Sequence, residues 1–194
     1  MKIAIVKYNA GNVQSLTFAL NRLGVRPVLT DDPEELISAD KVIFPGQGEA
    51  STAMRSLKEK GLDGVLGKLN QPFLGICLGM QLMCAKTQEN TTECLGIIPY
   101  EVVKFESDHV KVPHMGWNDI HNFRSPLLKD VEEGSYIYFV HSYFVPECEY
   151  TTAKCTYSIP FSAMLQKDNF HAIQAHPEKS AEAGMKVLEN FLKL

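Results

Sequence analysis

The first half of the chain alternates short, wholly apolar runs with amphipathic stretches of helical length, and this alternation limits the fold more than any other feature. Residues 2–7 (KIAIVK) read as a strand, after which Val13, Leu16, Leu20 and Leu23 recur at helical spacing until Gly24 supplies a stop signal. Residues 26–30 form a second strand. Asp31-Asp32-Pro33-Glu34-Glu35 then carries the N-cap carboxylate, first-turn proline and acidic first turn of a helix start. Residues 41–44 are a third strand, 45–48 a turn, and 50–60 a helical stretch. Residues 73–76 are a fourth strand, followed directly by a helix over 78–86. Strand-helix alternation at this period predicts an α/β fold whose mostly parallel sheet carries helices on both faces. In the second half, residues 97–105, 110–120, 136–140, 151–157, 161–166 and 170–174 are β-rich, and only 181–194 is plainly helical. Added antiparallel strands are the expected result. No repeat or Pro/Gly/Ser linker divides the sequence, so residues 1–194 are expected to form a single domain. Ligands of open α/β sheets bind beyond the carboxyl ends of the strands, which directs attention to the loops after Phe44 and Ile76.

Composition removes several classes of function. Nineteen basic against 23 acidic residues, a net charge of −4, give no basic stripe for nucleic acid or an anionic membrane. The longest apolar run, residues 73–80 with its glycines counted, falls far short of the roughly 18 residues of a membrane span. The stretch 3–6 is too short for a signal-peptide core, so a cytoplasmic location is expected. Cysteines at 77, 84, 94, 148 and 155 are odd in number and include no Cys-x-x-Cys pair. Histidines at 109, 114, 121, 141, 171 and 176 include no His-x-x-x-His pair. Neither a disulfide framework, a metal site nor a cofactor is expected.

The sharpest local signal is Gly75-Ile76-Cys77-Leu78-Gly79, set between an apolar strand and a helix. A nucleophile on a strand-to-helix turn needs small neighbours two residues either side, because the backbone there is strained and passes close to adjacent chain. The turn would place the sulfur at a helix N-terminus, which favours negative charge, and would aim the Leu78 N–H at an oxyanion formed on a bound carbonyl. The alternative is that Cys77 is a small core residue. A cysteine nucleophile needs a base, and the base an orienting group. His176-Pro177-Glu178 offers both: the proline pushes His176 into extended backbone, so a carboxylate two residues on can support the imidazole. His141, which also follows an apolar strand, is a competing base. Pro45-Gly46-Gln47-Gly48 lies between a strand and a helix, but Ser51 stands where a dinucleotide fingerprint wants its third glycine and no Gly-Lys-Ser/Thr follows. Its glycines suit a loop whose backbone N–H groups approach a substrate or oxyanion.

Gly75-Ile-Cys-Leu-Gly-Met-Gln81, the Pro-Gly-x-Gly loop and His176-Pro-Glu-Lys-Ser180 together resemble the class I (triad) glutamine amidotransferases, in the right order and across nearly the whole chain. Within that family, Pro113-His-Met-Gly-Trp-Asn118 and Tyr138-Phe-Val-His-Ser-Tyr143 resemble the glutaminase subunits of imidazole glycerol phosphate synthases, which act in histidine biosynthesis. The resemblance implies a flavodoxin-like sheet that hydrolyses L-glutamine through a cysteine thioester and hands the ammonia to a separate (β/α)₈ cyclase subunit in a heterodimer. It implies Cys77 as nucleophile, His176 as base and then acid, and Glu178 as orienting carboxylate. It places Leu78, Gln47 and Gly48 at the oxyanion hole and Gly46, Gly48, Gln81, Glu93, Ser142 and Tyr143 around the glutamine. Asn12, Trp117 and Tyr138 match the face toward the cyclase. The chain departs from the family pattern at Gln47, usually valine, at Ala175, usually aromatic, and at Lys7, where aspartate is common. A glutamine at 47 keeps the backbone N–H that the loop contributes, so catalysis should survive while resting-state gating differs.

Overall fold

The computed structural model describes every residue except 10–12, 107 and 109. In chain order the elements are β1 (Ile3–Val6), α1 (Val13–Arg22), β2 (Val28–Thr30), α2 (Pro33–Ile37), β3 (Lys41–Phe44), α3 (Ala50–Glu59), α4 (Asp63–Leu66), β4 (Phe73–Ile76), α5 (Leu78–Met83) and β5 (Cys84–Thr87). They continue with β6 (Thr92–Glu93), β7 (Ile98–Lys104), β8 (His114–Asp119), β9 (Tyr136–His141), β10 (Tyr143–Phe144), β11 (Thr151–Tyr157), β12 (Ile159–Lys167), β13 (Phe170–Ile173) and α6 (Ala181–Lys193).

The main sheet has seven strands in the order β11-β12-β13-β4-β3-β1-β2. Five of them, β13, β4, β3, β1 and β2, run parallel, and β12 and β11 add antiparallel strands at one edge. The parallel strands β1, β3, β4 and β13 are buried on both faces, which is why they read as continuous apolar runs rather than alternating ones. Side chains still divide by the period of two. Ala4, Val6, Val42 and Phe44 enter one core with Leu36, Leu57 and Leu66 of α2, α3 and α4. Ile3, Ile5, Ile43 and Leu74 enter the other with Leu16 and Leu20 of α1 and Leu188 and Phe191 of α6. The α/β architecture with helices on both faces and added antiparallel strands is therefore present. A four-stranded sheet (β10-β7-β5-β6) adds Cys84, Ile98 and Val102 to the first core, and the antiparallel pair β8–β9 adds Ile137 and Phe139 to the second.

Boundaries follow local chemistry. Asp32 Oδ1 accepts from Glu34 N at 2.9 Å and Pro33 opens α2, while Gly24 after α1 sits at φ +78. The second strand starts at Val28 rather than residue 26, since Pro27 has no N–H to offer. The strand expected over 110–120 is confined to His114–Asp119, Pro113 again preceding it. The larger correction concerns the helix over 78–86. It stops at Met83, and the chain continues as β5, which pairs with β7 in parallel and β6 antiparallel. All six residues of α5 are buried, so there is no polar face whose period could mark its end.

Candidate active site

The sheet register brings the sequence-distant motifs together. Ile173 lies opposite Ile76 and Phe44 opposite Gly75, so the loops leaving β3, β4 and β13 emerge side by side. Cys77 N donates to Ile173 O at 2.8 Å, which extends the β4–β13 ladder to the nucleophile's own backbone. Cys77 has φ +52 and ψ −111, a strained conformation for a residue with a side chain, and caps α5. The flanking glycines are required by contact. A Cβ on Gly79 would lie 2.0 Å from Phe44 O, and one on Gly75 would lie 2.4 Å from Met83 Sδ and 3.0 Å from Met80 N. Leu78, first residue of α5, has an N–H with no intrahelical acceptor.

His176 and Glu178 flank Pro177, and His176 Nδ1 lies 2.8 Å from Glu178 Oε1 with both side chains almost wholly buried. A carboxylate accepts, so Nδ1 carries a proton whether the ring is neutral or charged, and Nε2 is the nitrogen that exchanges a proton with the sulfur. Burial opposes the imidazolium, but Cys77 and Glu178 outweigh it and the pKa is pushed up to about 10. The Cys77 sulfur is thus close enough to raise the ring, while Nε2 has no hydrogen bond within ordinary geometric limits. The backbone around this pair is tied to β9: His176 N donates to Tyr138 O, and Ser180 Oγ bridges Tyr138 N and His176 O. His141 is unsuited to the base role. Its Nδ1 is engaged by Tyr143 O at 2.7 Å, its Nε2 by His114 Nδ1 at 3.1 Å, and burial lowers its pKa to about 3.

A cleft of about 460 Å³ opens over Cys77 and His176, lined also by Gln47, Gly48, Leu78, Gln81, Tyr138, Ser142 and Tyr143. Two expected pocket residues stand elsewhere. Gly46 does not line the cleft; a Cβ there would meet Gly79 N and Leu78 Cβ at 2.6 Å, so its part is to let the loop pack against α5. Glu93 faces a separate depression with Arg55 and Lys58, and Glu89 takes its place in the cleft. The cause is a tight turn in which Asn90 (φ +51) and Thr91 (φ +49) are left-handed and redirect the chain. Glu89 Oε2 also accepts from Ala50 N at 2.7 Å, and burial raises its pKa. Two carboxylates four apart are indistinguishable by type; Asn90, tolerant of left-handed backbone, was the available signal. Reasoning from sequence also missed Tyr8, whose Oη donates to Pro45 O at 2.5 Å and anchors the loop, and Gln174 beneath the sulfur.

Trp117 and Tyr138 are opposed in the β8–β9 hairpin with ring centroids 6.0 Å apart, and Trp117 is exposed beside exposed Met115 and Tyr136. Asn12 lies outside the described residues. Lys7 is exposed and pairs with Asp31, while Ala175 is wholly buried in the core. Among the described residues no group of three or more His, Cys, Asp or Glu side chains is arranged to hold a metal ion, and no helix is long and apolar enough to cross a membrane.

The family model for class-I glutamine amidotransferases matches residues 5–194. The chain belongs to this family. It is 55% identical over 196 residues to the imidazole glycerol phosphate synthase subunit HisH of Bacteroides fragilis, covering all of both chains. It is 43% identical over 200 residues to the HisH subunit of Vibrio parahaemolyticus, covering 100% of this chain and 98% of the relative. Among solved structures, PurLQS from Thermotoga maritima superposes with a TM-score of 0.74 at 18% identity, over 99% of this chain and 97% of the other. The glutaminase domain of Trypanosoma brucei CTPS with bound acivicin gives 0.65, also at 18% identity, over 100% and 94%. At that identity the structural likeness speaks for the fold of this amidotransferase alone.

Proposed function

We propose that the chain is the glutaminase subunit of an imidazole glycerol phosphate synthase, hydrolysing L-glutamine to glutamate and ammonia and passing the ammonia to a cyclase subunit. The observation that carries the chemistry is the buried His176–Glu178 pair, 2.8 Å apart, in one cleft with the strained Cys77. A primary amide is a poor electrophile, so the attacking species is the thiolate, its proton passing to His176 Nε2. As the carbonyl oxygen takes up charge, the Leu78 N–H and the backbone of Gln47 and Gly48 stabilise it; losing one such donor typically costs about 10²- to 10³-fold. The C–N bond then breaks with His176 returning its proton to the departing nitrogen, giving ammonia and a Cys77 thioester. Water, deprotonated by the same imidazole, cleaves the thioester to glutamate and the free thiol.

Gln81 Nε2 donates both to Tyr143 O at 2.9 Å and to Gln174 Oε1 at 3.0 Å, which leaves its Oε1 as the atom free to accept from substrate. With the Glu89 carboxylate in the same cleft, these acceptors suit the substrate's α-ammonium group, and Ser142 and Tyr143 complete the wall. Ammonia released into bulk water would largely protonate and lose its nucleophilicity, so the partner must seal over the cleft. The apolar face of Trp117 with Tyr138 is the surface we assign to that contact; Asn12, which the resemblance also implies, lies outside the described residues.

Cys77→Ala, assayed with the cyclase subunit, separates the two half-reactions: glutamine-dependent synthesis is abolished while synthesis with added ammonium salt persists. Loss of both would refute the division of labour. The isolated chain is expected to hydrolyse glutamine slowly and to accelerate with the cyclase and its nucleotide; equal rates would remove the gating idea.

A further inference from the structure

Gln174 has no part in the chemistry above, yet it is wholly buried one position beyond β13 and two before His176. Its backbone N–H already donates to Ala163 O at 2.9 Å, so the sheet is complete without its side chain. Burying an amide is costly unless both ends are paired, and an apolar residue of similar length would fill the same space more cheaply. Both ends are engaged. Gln174 Oε1 accepts from Gln81 Nε2 at 3.0 Å, and Gln174 Nε2 points at Cys77 Sγ from 3.8 Å.

The direction of this amide is dictated from a distance. Tyr143 O can only accept, so His141 carries its proton on Nδ1 and Gln81 turns its NH₂ group the same way. His141 Nε2 is then an acceptor, which orients His114 as the donor at 3.1 Å. With the Gln81 NH₂ facing it, Gln174 must present its oxygen to Gln81 and its nitrogen to the sulfur. The reversed amide would set two NH₂ groups against each other and an oxygen against the nucleophile.

We propose that Gln174 is a positioning residue for the nucleophile, an amide donor held in one orientation by Gln81 that fixes the Cys77 sulfur in its anionic form. The inference deepens the glutaminase reading and rests on it for the identity of the reacting atom. Val140 O, also 3.8 Å from the sulfur, has the complementary part: a carbonyl accepts the hydrogen of the neutral thiol but offers nothing to the anion. An N–H donor gains strength when its acceptor becomes charged, so on deprotonation the sulfur's preference passes from Val140 O to Gln174 Nε2.

The test uses Gln174→Met, which preserves length and removes both donor and acceptor, on the full chain. Alkylation of Cys77 by iodoacetamide at pH 7.5, followed by mass spectrometry of the Cys77 peptide, is expected to slow about tenfold, the low end for a hydrogen bond to a charged group. With the cyclase present, kcat should fall by a similar factor while KM stays within about threefold, because Gln81 keeps its bond to Tyr143 O. A folded variant that alkylates at the wild-type rate overturns the proposal. A second measurement does not depend on that variant folding: the side-chain amide resonance of Gln174 in ¹⁵N-labelled protein should move when Cys77 is replaced by Ala, and an unmoved resonance also overturns it. Neither the alkylation rate nor the amide resonance requires glutamine turnover, so absence of glutaminase activity in the wild-type complex would defeat the functional reading alone.

Discussion

Replacing Glu178 by Gln tests the part of the site where geometry and electrostatics are most tightly joined. The carboxylate lies 2.8 Å from His176 Nδ1, and neither side chain is more than 5% exposed. A hydrogen bond to a charged group contributes about 1.5–3 kcal/mol, so its loss alone corresponds to about 10- to 150-fold in rate if fully expressed in the transition state. A second effect adds to this. Gln can donate its amide to Nδ1, which would move the ring proton to Nε2, the atom that must accept from the Cys77 thiol. Loss of the negative charge also withdraws one of the influences that raise the imidazole toward about 10. The expected result is a kcat for glutamine hydrolysis lower by about 10²- to 10⁴-fold with KM little changed, the range set by the bond's loss and by tautomer reversal in comparable triads. The assay measures glutamate release in the presence of the cyclase, with circular dichroism and a melting curve as controls. A folded Glu178→Gln protein retaining a third or more of wild-type kcat would refute both the tautomer argument and the assignment of His176 as base.

Three further outcomes follow from the same structure. Glu89→Gln, which keeps an oxygen for Ala50 N but removes the charge, should raise KM for glutamine about 10-fold or more, as loss of a charge-assisted contact implies, whereas Glu93→Gln should leave KM unchanged; equal effects would restore Glu93 to the pocket. Gly79→Ala forces a methyl to 2.0 Å from a backbone oxygen, and should destabilise by at least about 1–3 kcal/mol in urea unfolding; a wild-type midpoint would show that the β3–α5 approach is not needed. Burial lowers His114 and His171 to about 4 and His141 to about 3. Below about pH 6.5 the unfolded chain therefore takes up three protons that the folded chain refuses, and stability should fall on acidification by up to about 4 kcal/mol per pH unit. His176 has the opposite sign: its raised pKa stabilises throughout that range and is lost only as pH climbs toward 10. Urea midpoints at pH 7.5 and 5.0 check this, and equal midpoints would refute it.

What the sequence made legible divides along physical lines. The parallel strands could be read because burial on both faces leaves unbroken apolar runs, and β3 and β4 match the expected residues at both ends. The cysteine turn could be read because its glycines answer to steric contacts that no other residue satisfies. The end of α5 could not be read, since a helix buried all round has no amphipathic period to interrupt. Glu89 and Glu93 could not be told apart, because two left-handed residues, not side-chain type, decide which carboxylate enters the cleft. Gln174, like His171, stood in plain view as a polar residue in the otherwise apolar stretch 170–175, but its partner sulfur lies 97 positions away and only the β4–β13 register joins them.

That register also explains why this site can be strained without loosening. Cys77 adopts a backbone conformation that costs of order 1–3 kcal/mol and persists only where its surroundings over-determine it. Each constraint on it comes from a different direction. The β13 carbonyl of Ile173 fixes its nitrogen, the Gly79–Phe44 contact fixes the helix that follows, and Tyr8 fixes the Pro45 carbonyl behind the loop. The buried amides and imidazoles then fix the polar surroundings of its side chain. Removing any one leaves the other anchors in place, so substitutions around the sulfur should reduce its reactivity well before they unfold the sheet, and loss of rate should precede loss of stability across such a series.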